Sequence, residues 1–344
     1  MNITRPETVL DQVHGENWSA YHGDCLALAT QIPDNSIDIT VYSPPFSSLY
    51  IYSESEADMG NTENDDEFIE QYRFLVQEKL RVTRPGRLSC VHIKDMVYYQ
   101  GSSVDGASGI RPLSDRITQV HLESGWNLQC RITIWRDPVL ERSKTNAHGL
   151  LYKTFRGDAS FCRVGMPEYL LVFRKWPKSE AEVALQRPVV HHRDTYQLPI
   201  WQELASPIWP AAATCWNYAG SIGFEVDGEE RLRAITKGGQ SGGGDMDIKA
   251  TDTLNVQQAR DPNAEKHLCP MPLNITNRAL LLWSNPGDNL WTPFGGIGSE
   301  GVQALRMGRK ALLTELNPTY FRAAVGYLIS ASGEGQQQDI FASL

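Results

Sequence analysis

The sharpest feature of the hydrophobic pattern is the run Ile37-Asp38-Ile39-Thr40-Val41-Tyr42, which stops at Ser43-Pro44-Pro45-Phe46. Alternation of branched and polar residues predicts a strand over 37–42. Two prolines have no N–H to give a ladder, so the strand ends there. Before it, 17–22 reads as a short strand ending at Gly23-Asp24, and 25–31 as a short helix. After it, the acid-rich first half of 54–70 reads as a surface loop. Phe68, Tyr72, Leu75, Val76 and Leu80 then recur at helical spacing, predicting a helix over 68–82 that Arg84-Pro85-Gly86 stops. Strand patterns follow at 87–93, 126–135 and 168–173.

The glycine-rich stretch 236–247 reads as a loop. Order resumes near Asp252, with a helix at 273–282, a strand at 289–294 and a helix at 300–307. A strand at 310–316 and a closing helix at 318–329 complete the chain. Strands alternating with helices predict an α/β fold with a mostly parallel sheet and helices on both faces. There is no internal repeat.

Composition narrows the classes. The chain has 344 residues, 41% hydrophobic and 21% charged, enough for a large core. Its net charge of -9 excludes a uniformly basic nucleic-acid binder, so a polyanion partner needs a local basic surface. The six cysteines are scattered without a CxxC pair, which argues against a zinc ribbon or disulfide scaffold and fits a reducing cytoplasm. No metal site is expected: His191-His192 is the one adjacent histidine pair, with no cysteine or spaced carboxylate nearby. The N-terminus lacks an apolar signal region, and no apolar stretch approaches the ~20 residues of a membrane span. A cytoplasmic protein without membrane partners is expected.

Between the predicted strand at 289–294 and the helix after it lies Pro293-Phe294-Gly295-Gly296-Ile297-Gly298-Ser299-Glu300-Gly301, with a GxGxxG from Gly296. The next strand ends at Glu315, ~20 residues on, where nucleotide folds place a ribose-binding acid. Strand, turn, helix, second strand and terminal acid together point to a nucleotide-type cofactor. A tight turn with a solvated glutamate is the plainer alternative. A dinucleotide fold needs a second half after the first. Too little chain follows Glu315 for that, so the other strands must come from earlier and the sheet would be circularly permuted. The strand ending at Gly23-Asp24 would then lie beside the closing helix. Asp24 would stand at the edge of the adenosine pocket, or serve as a helix N-cap.

The tip of the 37–42 strand reaches the same carboxyl edge, where open α/β sheets bind ligands. An exocyclic amino group on a nucleobase is a poor nucleophile because its lone pair is delocalised. The Ser43 hydroxyl and Pro44 carbonyl are acceptors able to hold such a group. The prolines fix the carbonyl direction, and Phe46 can stack on a base rotated out of the duplex. A rigid turn with a core phenylalanine is the competing reading.

Nearly the whole chain resembles the β-class amino methyltransferases of DNA, especially phage-encoded members of the N4-cytosine/N6-adenine family. SPPF followed by SLYIYSESEADMGN is similar to the family's catalytic loop. The segments RVTRPGRLSCVHIKD, GLLYKTFRGDASFCRVGMPEYLLVFRKWP, EKHLCPMPLNITNRALLLWSNPGD and PFGGIGSEGVQALRMGRKALLTELNPTYF resemble its later blocks. The resemblance implies a circularly permuted, Rossmann-like S-adenosylmethionine-dependent fold with an inserted target-recognition region. It implies that Ser43, Pro44, Pro45 and Phe46 hold the target base. Phe294, Gly295, Gly296, Gly298 and Ser299 would line the cofactor, with Glu315 on its ribose, Asp24 near its adenine and His267 near its methionine end. Thr292 departs from the pattern, since many relatives carry aspartate there, which weakens any claim for a carboxylate orienting the cofactor's amino group from that position.

The expected reaction is direct transfer of the sulfonium methyl to the amino nitrogen of a base in double-stranded DNA. Carbon-5 methylation needs a Pro-Cys nucleophile, and the chain has no such dipeptide. Serine at position 43 favours N4 of cytosine over N6 of adenine. Residues 1–135 would form the catalytic half, 136–260 the target-recognition insert with strand 168–173 returning to the sheet, and 261–344 the cofactor half. Arg142, Lys144, His148, Lys153, Arg156 and Arg163, interleaved with Tyr152, Phe155 and Phe161, are the candidate phosphate-binding surface, with a solvated charged face as the plainer reading. Residues 188–251, with Trp201, Trp209 and Trp216, are the second candidate for target recognition. A homodimer and a restriction–modification setting are compatible with the resemblance. Competing classes are an NAD(P)-dependent oxidoreductase, a non-catalytic DNA-binding protein, and methylation of RNA or a protein amide.

Overall fold

The buried strand at Ile37–Tyr42 (β3) carries an acid, Asp38, that is 1% exposed. A charge there needs partners. Its two carboxylate oxygens accept from Arg84 Nε at 2.9 Å and from the Asn289 backbone N–H at 3.0 Å, tying β3 to later strands. In the computed structural model, the described residues are 9–45, 58–99, 101, 106–136, 152–192, 198–209, 222–226, 232–236, 252–254 and 270–333.

The strands in chain order are β1 Asp11–His14, β2 Trp18–His22, β3, β4 Thr83–Lys94, β5 Met96–Tyr98, β6 Gly109–Arg111 and β7 Asn127–Ile134. They continue with β8 Glu168–Arg174, β9 Ile208–Trp209, β10 Ile222–Val226, β11 Leu232–Thr236, β12 Asn289–Thr292 and β13 Lys310–Glu315. The helices are α1 Cys25–Ala29, α2 Asp65–Val82, α3 Leu113–Glu123, α4 Tyr152–Gly157, α5 Glu180–Ala184, α6 Leu198–Leu204, α7 Leu273–Trp283, α8 Ser299–Arg306 and α9 Pro318–Ser332.

One nine-stranded sheet has the order β1-β2-β13-β12-β3-β4-β8-β7-β9. Neighbours from β2 to β4 are parallel, β8 runs antiparallel between β4 and β7, and β1 is antiparallel to β2. The two C-terminal strands therefore sit in the middle of the sheet, and β13 pairs with β2 from Ala311↔Trp18 to Glu315↔His22. Strands buried on both faces divide their side chains between two layers. Ile39 and Val41 join α7, α8 and α9 on one face through Ala279, Leu280, Val302 and Phe321. Tyr42 joins α1, α2 and α3 on the other, with Leu28, Phe68, Tyr72, Leu75 and Ile117.

Several expectations shift. Arg84-Pro85-Gly86 does lie just past the end of α2, but it belongs to β4, which begins at Thr83. A break in pairing with β3, from Ile37↔Thr83 to Ile39↔Leu88, accommodates Pro85. Helix α2 starts at Asp65 because Asn64 caps it, accepting from Asp66 and Glu67 N–H at 2.9 and 3.0 Å. Strand β12 stops at Thr292, two residues earlier than expected, where the glycine turn begins. Strand β8 enters the sheet as anticipated, and Trp209, from the second candidate region for target recognition, is a buried core residue on β9. Of the expected loop at 236–247, Thr236 instead ends β11 and the rest lies outside the described residues, as does Trp216. No described helix is long and apolar enough to cross a membrane.

Candidate active site

The carboxyl ends of β2, β3, β12 and β13 open onto one cavity. Its lining includes Gly23, Asp24 and Cys25 after β2, Ser43, Pro44 and Pro45 after β3, and Phe294, Gly295, Gly296, Ser299 and Glu300 after β12. Thr314, Glu315 and Leu316 from β13, Asp58 and Met59 from the turn before α2, and Met271 before α7 complete most of the wall. Two distant segments, SPPF and the glycine turn, thus meet across one crevice. Phe46, the fourth member of the first, lies outside the described residues, as does His267.

The turn is built by backbone contacts. Gly295 N–H donates to Thr314 O at 2.7 Å, and a Cβ there would stand 3.2 Å from that same oxygen. Gly298 has φ of 91°, a conformation that favours glycine, and a Cβ would meet Ala324 of α9 at 3.2 Å. Gly298 is not among the residues that line the cavity; it packs α8 against α9 and shapes the turn from behind.

Glu315 is engaged from both sides. One oxygen accepts from Gly296 N–H at 2.6 Å and the other from Asn317 N–H at 2.7 Å. Burial still pushes its carboxyl up to about 7. Each oxygen keeps a further acceptor direction toward the cavity. Asp24 caps α1 by accepting from Leu26 and Ala27 N–H at 3.0 and 3.3 Å, and it also lines the cavity. Burial pushes the Cys25 thiol up, keeping it neutral.

At the other end, Ser43 Oγ donates to the His92 carbonyl at 3.0 Å. A hydroxyl has one proton and two lone pairs. With the proton committed to β4, the oxygen faces any ligand as an acceptor. The His92 ring pairs through Nε2 with Glu168 Oε2 at 2.9 Å, and Arg136 Nη2 bonds the same oxygen. Burial alone would raise Glu168, but His92 and Arg136 hold it well below the usual carboxylate range. This cluster joins three separate strand ends, so no local motif announces it.

The candidate basic surface is divided. Lys153 and Arg156 are exposed on α4 beside Tyr152 and Phe155, which stack at 6.0 Å. Arg163 is half-buried and donates to Ser108 Oγ at 2.9 Å and Gly109 O at 3.3 Å, so it holds a loop. Arg142, Lys144 and His148 lie outside the described residues.

Residues 37–326 match the N6/N4 methyltransferase family, described as DNA methylase, and the chain belongs to that family. Its fold is similar to TTHA0409, described as a DNA modification methylase of Thermus thermophilus, with 19% identity, 93% of this chain and 96% of that one covered, and a TM-score of 0.57. The form of that protein complexed with S-adenosyl-L-methionine aligns with 18% identity over 90% and 94%, at a TM-score of 0.55. PvuII DNA methyltransferase, named as cytosine-N4-specific, aligns with 16% identity over 91% and 86%, at 0.54. No curated protein matches the sequence.

Proposed function

We propose that this chain transfers the methyl group of S-adenosylmethionine to the exocyclic amino nitrogen of a base extruded from duplex DNA, with N4 of cytosine the favoured target. The observation that carries the reading is the position of Ser43 and Pro44 on the wall of the cavity that the glycine turn and Glu315 also form. S-adenosylmethionine, when bound, supplies an electrophilic methyl group. Phe294, Gly295 and Gly296 would flank it, Glu315 would accept from ribose hydroxyls, and Asp24 would lie at the adenine end. At Gly296, on the cavity wall, an added Cβ would meet nothing within 4 Å, so the turn leaves open space there for a ligand.

Ser43 and the Pro44 carbonyl would accept the two amino protons of the base and draw its nitrogen toward tetrahedral geometry. That role suits a serine whose own proton is already given to His92 O. A neutral hydroxyl is a weaker acceptor than a carboxylate, and the fold likeness to a cytosine-N4-specific enzyme is in keeping with N4 of cytosine as the target. Phe46 would stack on the extruded base. The permuted order expected from the sequence is compatible with C-terminal strands at the sheet's centre. Residues 136–260 would supply target recognition, with Lys153 and Arg156 on phosphates. The deciding experiment is incubation of the purified protein with duplex DNA and S-adenosylmethionine, followed by nucleoside mass spectrometry. N4-methylcytosine is expected; N6-methyladenine would overturn the choice of base, and no DNA methylation would overturn the reaction.

A further inference from the structure

Among the described residues the cavity wall is acidic and carries no cation. Among its described lining residues are Asp24, Asp58, Glu300 and Glu315, and no Lys, Arg or His. Asp24, Asp58 and Glu315 each accept backbone N–H bonds that account for their placement. Glu300 is different. It sits in the first turn of α8, is 5% exposed, and opens onto the cavity without a described cationic partner. Beside it Ser299 is 2% exposed, and its Oγ is buried with no hydrogen-bond partner. A buried carboxylate bonded only by its own backbone N–H, next to an unpaired buried hydroxyl, is an unfavourable arrangement unless a ligand completes it. Thr292, the position where a carboxylate would be expected, is buried and bonds its own turn through Phe294 O at 3.4 Å, so it does not meet the need.

We infer that Glu300 is the counter-ion of the α-ammonium group of the bound cofactor, and that the Ser299 hydroxyl bonds the same amino-acid end. This rests on the reading of the cavity as the S-adenosylmethionine site. The titratable groups that share the cavity wall with Glu300 are Glu315 from β13, Asp58 from the turn before α2, Asp24 and Cys25 at the start of α1, and Tyr320 from α9. All are acidic or neutral, so the ligand's ammonium is the charge that relieves them. Burial, with a contribution from Glu315, pushes the free Glu300 carboxyl up to about 8. Seating an ammonium beside it favours the ionised form, so binding releases a proton below that value.

The test is isothermal calorimetry with three adenosyl ligands. S-adenosylmethionine and S-adenosylhomocysteine carry the α-ammonium, whereas 5′-methylthioadenosine keeps the adenosine and thioether but has no amino acid. Glu300→Gln should weaken the first two about tenfold or more and leave the third within about twofold. Ser299→Ala should repeat the pattern with a loss of about threefold. In unaltered protein, the affinity ratio of S-adenosylhomocysteine to 5′-methylthioadenosine should rise between about pH 6 and pH 8, a comparison in which Glu315 and the ribose cancel. Equal losses for all three ligands, no loss, or a ratio flat with pH would overturn the assignment while leaving the cofactor site standing. Failure of unaltered protein to bind S-adenosylmethionine would overturn that site and this inference with it.

Discussion

Lys79 and Glu300 are both ionisable, both buried, and placed on opposite faces of the same sheet, yet their surroundings differ in kind. Lys79 Nζ reaches Tyr42 Oη, Ser89 Oγ at 3.0 Å and His121 Nε2 at 3.0 Å, and lies 4.3 Å from the centre of the Tyr42 ring. His121 is in turn held by the Ile117 carbonyl at 2.7 Å and stacks on Phe173 at 3.9 Å. Burial pushes Lys79 down and Glu300 up, so both are driven toward neutrality. The first is enclosed by partners from β3, β4 and α3; the second faces a cavity. A buried polar group that is fully bonded stiffens the scaffold, whereas one left open marks where a ligand completes the structure. Tyr42, which Lys79 anchors, is the residue immediately before Ser43, so the stiff network sets the strand from which the Ser43-Pro44-Pro45 turn departs.

That contrast is broken most forcefully at Lys79. Replacing it with alanine leaves Tyr42, Ser89 and His121 without their shared partner and opens a void. We expect a loss of roughly 3–5 kcal/mol, read as a lower urea midpoint at unchanged slope. Glu168 at the Ser43 end should behave as a bonded group too. Its folded carboxyl is held low, so its contribution is present above the unfolded value near 4.5 and is lost as the pH falls through the folded one. Glu168→Gln should remove roughly 2 kcal/mol at neutral pH, with the gap closing in acid.

Glu300 should show the opposite sign. Glu300 and Glu315 sit above their unfolded value of 4.5, so the folded chain holds more protons than the unfolded one up to about pH 8. Stability of the ligand-free protein therefore falls as the pH rises through that window. Glu300→Gln should flatten the slope and raise stability near pH 8 by roughly 2 kcal/mol, measured by thermal or urea unfolding across pH. A stabilising change at one buried acid and a destabilising one at the other would sharpen the distinction between site and scaffold; two losses would erase it. The smallest effects belong to the surface: Lys153→Ala and Arg156→Ala should each reduce the salt dependence of DNA affinity by about one unit of slope, with little change in stability.

The parts legible in the sequence are those set by local pattern. Strand β3 is readable to the residue because its apolar run is bounded by prolines, and β13, α8 and α9 are readable to within one to three residues because glycine turns and caps frame them. Helix α3 is not legible: Leu113, Ile117 and Val120 are spaced along a segment otherwise polar, and only packing against β4, β7 and β8 makes that face a core face. The cavity is half legible. The glycine turn, Glu315, Asp24 and SPPF carry recognisable spacing, but Glu300 is hidden inside the turn's own motif, where the glycines carry the signal. His92, Glu168 and Arg136 cannot be joined by any reading of spacing, because they meet only when β8 is inserted between β4 and β7.

The central claim is that Ser43 holds the reacting amino group while the glycine turn holds the methyl donor, two tasks at two ends of one cleft. Single-turnover methyl transfer by Ser43→Ala, started from protein already saturated with S-adenosylmethionine and duplex DNA, separates them. Cofactor affinity should be unchanged and the transfer rate reduced by about 10²-fold or more. A rate equal to that of the unaltered protein would contradict that claim.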